Sequence, residues 1–270
     1  MIPGTMRAMR RTRVLALSFV AAAGVLSPAA RAQTPLTVVA ASDLQGALPV
    51  IAAQFEKETG HKVALSFGSS GTLFAQIQNG APFDVFLSAD IDYPKRLEAD
   101  GFGEGGSLYE YATGHLVLWT RSDSGIDVRR GLAVLTTAAV TKIAIANPRT
   151  APYGRAAVAA LRHEGLYDQV QSKLVLGENI AQTAQLAQSG NAQVGLLALS
   201  LALGQTLKAV GTYADLPASF YPPIEQAAIV VASSRQKAIA RQFVDYLKKP
   251  STMQALRSFG FAPPARSDTR

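Results

Sequence analysis

The chain has 270 residues, 48% apolar and 17% charged, enough to bury one large core or two smaller ones. Its formal charge of +7 arises mostly in the first 32 residues, where Arg7, Arg10, Arg11, Arg13 and Arg31 stand without an acid. The remainder carries 21 basic against 19 acidic residues, a net +2 without a basic cluster, which argues against a nucleic-acid partner; the absence of cysteine excludes disulfides and thiolate chemistry.

Residues 1–32 read as a secretory signal. Arg10 to Arg13 form a positive stretch, residues 14–26 an apolar one too short to span a bilayer comfortably, and Ala30-Arg31-Ala32 a small-x-small cleavage site before Gln33. Arg10-Arg11 raises twin-arginine export, but the residues that follow fit the general secretory route better. The expectation is an exported, periplasmic protein.

After the signal, strand-like and helix-like segments alternate. Residues 36–41 form an apolar run suited to a strand covered on both faces. Ser42-Asp43-Leu44-Gln45 reads as a capping box, Ser42 at the N-cap and Gln45 reaching back, ahead of a helix that Thr59-Gly60 ends. Pro49 interrupts that helix, so its first turn is expected to be separate. Residues 62–65 read as a strand, Ser66-Phe67-Gly68-Ser69-Ser70-Gly71-Thr72 as a strand-to-helix corner, and residues 73–78 as the helix beyond it. A strand at 83–88 and a helix at 91–99 follow. Residues 101–106 spell G-x-G-x-x-G, but after a helix and before a strand, the reverse of what dinucleotide binding needs.

The pattern then restarts. Strands are expected at 114–120, 142–146, 174–175 and 193–197, with helices at 128–136, 155–164 and from Asn179-Ile180 to Gly190. A strand at 226–232 and helices at 236–247 and 251–258 close the chain and lack partner units in the second run. They are expected to return to the first lobe. The fold class is therefore α/β: two lobes of mainly parallel sheet with helices on both faces, joined by two crossover strands near 116–120 and 227–231. Lobe 1 is expected to take 33–117 and 228–270, lobe 2 to take 118–227.

No catalytic constellation is visible. His61, His115 and His163 are isolated, no zinc spacing or P-loop occurs, and Thr72 stands where a nucleophile elbow requires glycine. What recurs is a helix N-terminus following a strand, at Ser42, Ser69-Ser70, Pro152-Tyr153-Gly154 and Asn179-Ile180. Each presents unpaired N–H groups at the positive end of a helix dipole. One such serine is usually a cap; four, two in each lobe, suit an anion. Arg149 and Arg155 are the nearest cations, and Arg155 is expected on a solvated helix face. A donor-only cleft favours a fully deprotonated tetrahedral dianion, because a protonated anion also needs an acceptor.

These segments resemble the periplasmic molybdate-binding proteins of ABC importers. The resemblance is carried by Ala40-Ala41-Ser42, residues 66–73, residues 81–90, the corner from Asn147-Pro148 to Gly154, Gly177-Glu178-Asn179-Ile180, Tyr246-Leu247 and Phe259-Gly260-Phe261. It covers nearly the whole chain after the signal. It implies a type II periplasmic binding protein fold, binding of molybdate or tungstate in an inter-lobe cleft, and delivery to a membrane permease. No catalysis, no cofactor and no direct protein–metal bond is implied, and the chain is expected to act as a monomer. Carried over by position, it makes Ser42 and Ser70 donors of hydroxyl and backbone N–H bonds and Tyr153 and Ile180 backbone donors, with Ser69 a lesser candidate. At Ala198 the family often has a tyrosine hydroxyl. Either the Tyr153 hydroxyl substitutes for it or one bond is missing. Sulfate or another oxyanion remains an alternative ligand. An exported enzyme using Asp43, Asp90 or Glu178 is an alternative of another class, although a capping or surface role suits those acids better.

Overall fold

A computed structural model describes residues 1–3 and 34–264. Apart from residues 1–3, the expected signal segment with its cleavage site lies outside the described residues. From Leu36 the chain builds β1 (Leu36–Ala41), a 3-10 turn (Ser42–Leu44), α1 (Ala47–Thr59), β2 (Val63–Gly68), α2 (Ser70–Gln78), β3 (Val85–Ser88), α3 (Asp92–Ala99) and β4 (Tyr109–Gly114). It continues through β5 (Leu116–Arg121), a 3-10 stretch kinked at Gly131 (Val128–Thr136), β6 (Ile143–Ala146), α4 (Pro152–His163), α5 (Tyr167–Val170) and β7 (Leu174–Gly177). Next come α6 (Ile180–Gln188), β8 (Val194–Ala198), α7 (Leu199–Ala202), α8 (Gln205–Val210) and β9 (Gly211–Asp215). β10 (Ile224–Val230), α9 (Lys237–Leu247) and α10 (Pro250–Ser258) complete the described chain.

The strands form two five-stranded sheets, β2-β1-β3-β10-β4 and β7-β6-β8-β5-β9. In each, four strands run one way and one is inverted: β10 lies antiparallel between β3 and β4, and β5 lies antiparallel between β8 and β9. The inverted strands are the ones that follow each crossing of the chain. The expected limits at 117/118 and 227/228 therefore need correction, since they cut β5 and β10, which pair with a single sheet along their length. The chain changes sheet at His115 and again over 216–223. Pro217, Pro222 and Pro223 lie in that second passage, where no ladder bond is needed from them.

Both faces of each sheet are covered, which explains the near-continuous apolar strands. In the first sheet Val38, Ala40, Val85, Leu87, Ala228 and Val230 pack toward α1 and α9, while their neighbours Val39, Phe86 and Ile229 pack toward α2 and α3. In the second, Leu116, Leu118, Ile143 and Ile145 face α4, and Val117 and Trp119 face α6. Pro49 falls in the first turn of α1, where a missing N–H costs nothing, and the turn before it is separate, as its position suggests. The expected capping box is absent. Ala41 occupies the N-cap without a side-chain bond, and the Ser42 hydroxyl instead donates to the Gly68 carbonyl at 2.9 Å. The short β9, α7 and α8 were not legible, because four- to six-residue elements carry too few periodic positions.

Candidate functional site

The parallel strands place their carboxyl ends side by side. β1 and β2 pair in register from Leu36–Val63 to Ala41–Gly68, so the corner at Ser42 abuts the corner at Ser69-Ser70, and Ala89 follows the end of β3 alongside them. In the second sheet α4 and α6 open after β6 and β7, and Ala198 ends β8. Three corners thus come from each sheet, at the strand ends where open α/β sheets hold ligands.

Local chemistry leaves donors free at these corners. Ser69 is the N-cap of α2 with extended backbone, but its hydroxyl pairs with Thr72 Oγ1 at 2.8 Å. Ser70 Oγ accepts from the Ala89 N–H at 3.0 Å, which leaves its own hydroxyl proton available. Pro152 opens α4 and has no N–H to give. Asn179 caps α6 by accepting from Ala181 and Gln182, both at 3.0 Å, and so leaves Ile180 at the helix start. Among the described residues nothing accepts from the backbone N–H of Ser42, Ser70, Tyr153 or Ile180, although all four residues are buried. Buried unpaired N–H groups are rare in proteins and call for a partner.

The corners of the two sheets meet. Gly71 N–H donates to the Thr150 carbonyl at 2.9 Å, and a Cβ on Gly71 would stand only 2.8 Å from that oxygen and from Tyr93 Oη. Ser200 Oγ donates to the Asp43 carbonyl at 2.8 Å. Arg155 on α4 pairs with Asp90 beyond β3 and donates to Tyr93 Oη at 3.3 Å. Its expected place on a free solvated face is corrected accordingly: α4 turns this residue toward the other sheet. Ala41 and Ala89 of the first sheet join Tyr153, Ile180 and Ala198 of the second in one buried cluster.

At the centre lies Asp43, which is fully buried. Its Oδ2 accepts from Tyr153 Oη at 3.0 Å and from Gln226 Nε2, and Tyr111 Oη donates to Gln226 Oε1 at 2.9 Å. Oδ1 is buried without a partner. Burial pushes the Asp43 carboxyl up to about 6, against the opposing pull of the Gln226 and Tyr153 hydrogen bonds. Burial first, and then the Asp43 charge, raise the Tyr153 and Tyr111 hydroxyls well above the ordinary tyrosine value. Both tyrosines are therefore neutral donors.

The solute-binding family described as "Bacterial extracellular solute-binding protein" matches residues 36–262. The molybdate-binding protein ModA of Azotobacter vinelandii is 42% identical over 239 residues, spanning 88% of this chain and 94% of its own. ModA of Rhodobacter capsulatus is 38% identical over 238 residues, spanning 88% and 91%. The chain belongs to the ModA family of bacterial extracellular solute-binding proteins. A solved structure of the A. vinelandii periplasmic molybdate-binding protein superposes with a TM-score of 0.80 at 39% identity, covering 85% of this chain and all of that one. The sulfate-binding protein SubI of Mycobacterium tuberculosis shares the fold alone, with a TM-score of 0.66 at 16% identity over 86% of this chain and 87% of its own. The two-lobed type II periplasmic binding protein fold inferred from the sequence is the fold of this family, with an inverted strand in each sheet.

Of the six positions singled out in the sequence, Ser42, Ser70, Tyr153, Ile180 and Ala198 come together at the facing corners, and Ser69 turns its hydroxyl back to Thr72. Tyr153 does not offer its hydroxyl as a free replacement for a tyrosine at Ala198, because Asp43 accepts it. The capping or surface role expected for Asp43 needs correction: Gln226 of its own sheet and Tyr153 and Ser200 of the other unit close over it. The one available signal was Gln226, a lone amide in the apolar run of β10. A cavity of about 780 Å³ lies at the opposite ends of the first sheet's strands, by Thr37, Lys62 and Asp84, and shares no residue with the corners.

Proposed function

We propose that the facing corners bind molybdate, and tungstate with it, as a tetrahedral dianion and deliver it to the membrane permease of an ABC importer from the periplasm. The observation that carries this reading is the set of buried, unpartnered N–H groups of Ser42, Ser70, Tyr153 and Ile180, converging from both sheets. Family membership makes molybdate the first ion to test. In this reading the oxyanion oxygens accept from these N–H groups and from the Ser70 hydroxyl, and no side chain touches the metal. Ser69 is a secondary contact, and Ala198 removes one hydroxyl donor relative to family members with tyrosine there. The protein works as a monomeric carrier without a catalytic step. Its binding lobes are 34–115 with 224–264, and 116–215.

Titration with molybdate, tungstate, sulfate and phosphate, followed by calorimetry and thermal unfolding, tests the reading. Molybdate at 100-fold its dissociation constant is expected to stabilise the protein by about 2.7 kcal/mol. Silence toward every tetrahedral oxyanion would remove the assignment, and a preference for sulfate would change the cargo. Ser70→Ala removes one charge-assisted bond and is expected to weaken molybdate binding roughly ten- to hundredfold. An unchanged affinity would take Ser70 out of the site.

A further inference from the structure

The donor-only cleft contains one group that does not fit a bare dianion. Asp43 follows Ser42 directly, its Oδ2 holds the Tyr153 hydroxyl, and its Oδ1 is buried without a hydrogen bond of ordinary geometry, although the backbone N–H groups of Asp43 and Leu44 also act on the carboxyl. Two of the proposed oxyanion contacts therefore flank a carboxyl group with one uncommitted oxygen. An ionised carboxylate and a dianion, both removed from water, repel strongly unless a cation or a proton lies between them.

Among the described residues no cation is seen to do this. The elements around Asp43 present Tyr111 from β4, Tyr153 from α4, Gln226 from β10 and Ser200 from α7. The end of β2 offers Phe67 and Gly68, and α6 opens with Asn179 and Ile180. Tyr221 lies near Tyr153, and its hydroxyl accepts from the Leu116 N–H at 3.0 Å. Arg155, on the same helix as Tyr153, is engaged by Asp90. None of the groups acting on the Asp43 charge is a lysine, arginine or histidine.

We propose that Asp43 takes up one proton from solvent as the oxyanion enters, and that Oδ1 then carries this proton and donates it to an anion oxygen. This rests on the cleft being the oxyanion site. The two carboxyl oxygens divide the work: Oδ2 remains the acceptor for Tyr153 and Gln226, and Oδ1–H becomes one more donor. Protonation replaces repulsion with a hydrogen bond, and it supplies a donor in a site where Ala198 lacks one. Burial already holds the Asp43 carboxyl at about 6 before any ligand arrives, so the proton is close to being bound at neutral pH. The acid also bears on selectivity. A fully deprotonated ion requires Asp43 in its acid form, whereas hydrogen phosphate would bring its own proton to an ionised Asp43.

Proton linkage gives a direct test on the wild-type protein. Calorimetric titration with molybdate at pH 8, in buffers of different ionisation enthalpy, is expected to report uptake of close to one proton per ion bound. The dissociation constant is expected to rise about tenfold per pH unit above pH 6 and to level off below it. Asp43→Asn is expected to abolish both the proton uptake and the pH dependence, with binding at pH 8.5 at least as tight as wild type. Wild-type binding without proton uptake would overturn the proposal while leaving the oxyanion cleft intact, as would one-proton uptake retained in Asp43→Asn. No binding of molybdate, tungstate, sulfate or phosphate between pH 6 and 8.5 would overturn the cleft assignment and the proposal together.

Discussion

Ser70 and Asp43 show what individual residues contribute at these corners. Ser70 was legible because its setting is local: a strand, a Ser-Ser-Gly corner and a helix follow one another between Val63 and Gln78. Its role as acceptor for Ala89 was not, since that bond joins two strand ends nineteen residues apart. Asp43 has a thermodynamic signature separate from any ligand. Its folded-state pKa of about 6 lies above the ordinary aspartate value of 3.8. Its contribution to stability is therefore fully present below pH 3.8 and is lost as pH rises to 6, by up to about 3 kcal/mol. Ligand-free Asp43→Asn is accordingly expected to be more stable than wild type by up to about 3 kcal/mol above pH 6. The difference should vanish near pH 4. Chemical denaturation at pH 4 and pH 7.5 measures it, and equal stability of the two proteins at pH 7.5 would contradict a raised carboxyl.

At the scale of elements, the site is a property of where helices begin. α2, α4 and α6 each start immediately beyond a parallel strand or its short corner, so their unpaired N–H groups and positive dipole ends collect at one edge of each sheet. The helix starts could be read from sequence to within a few residues because caps and proline act locally: Asn179 caps α6, and Pro152 sits at the first position of α4. How tightly two such starts approach could not be read. Gly71 takes part in the α2 helix, where glycine is not required by backbone conformation, yet any Cβ there would press on Thr150 and Tyr93. Gly71→Ala is expected to leave thermal stability of the ligand-free protein within about 1 kcal/mol of wild type, since alanine also favours helix. It should weaken molybdate binding at least tenfold by holding the corners apart. Affinity unchanged in that variant would mean that α2 and the Thr150 corner need not touch in the bound form.

Taken as a whole molecule, the chain makes two sheets of one topology and couples them through contacts at their carboxyl ends. Arg155 and Asp90 form an ion pair between the sheets, with side chains 39% and 23% exposed, so the pair contributes about 1 kcal/mol or less. Arg155→Ala is expected to raise the molybdate dissociation constant no more than about fivefold. Small-angle scattering of the ligand-free variant should show a larger radius of gyration. A loss of affinity beyond fiftyfold would instead place the guanidinium on the anion. The alternation of strand and helix and the chain's return to its first sheet followed from the sequence alone. They depend on periodicity, caps and breakers within windows of about ten residues. The burial of Asp43, the turn of Arg155 toward Asp90 and the exact passages between sheets were decided only by the tertiary structure. Tyr153 and Gln226 reach Asp43 from 110 and 183 residues away, and no local pattern records which distant side chain will close over a strand end. The helix-start corners were therefore legible as a class of candidate site, while the acid between them became visible only when side chains from both sheets covered it.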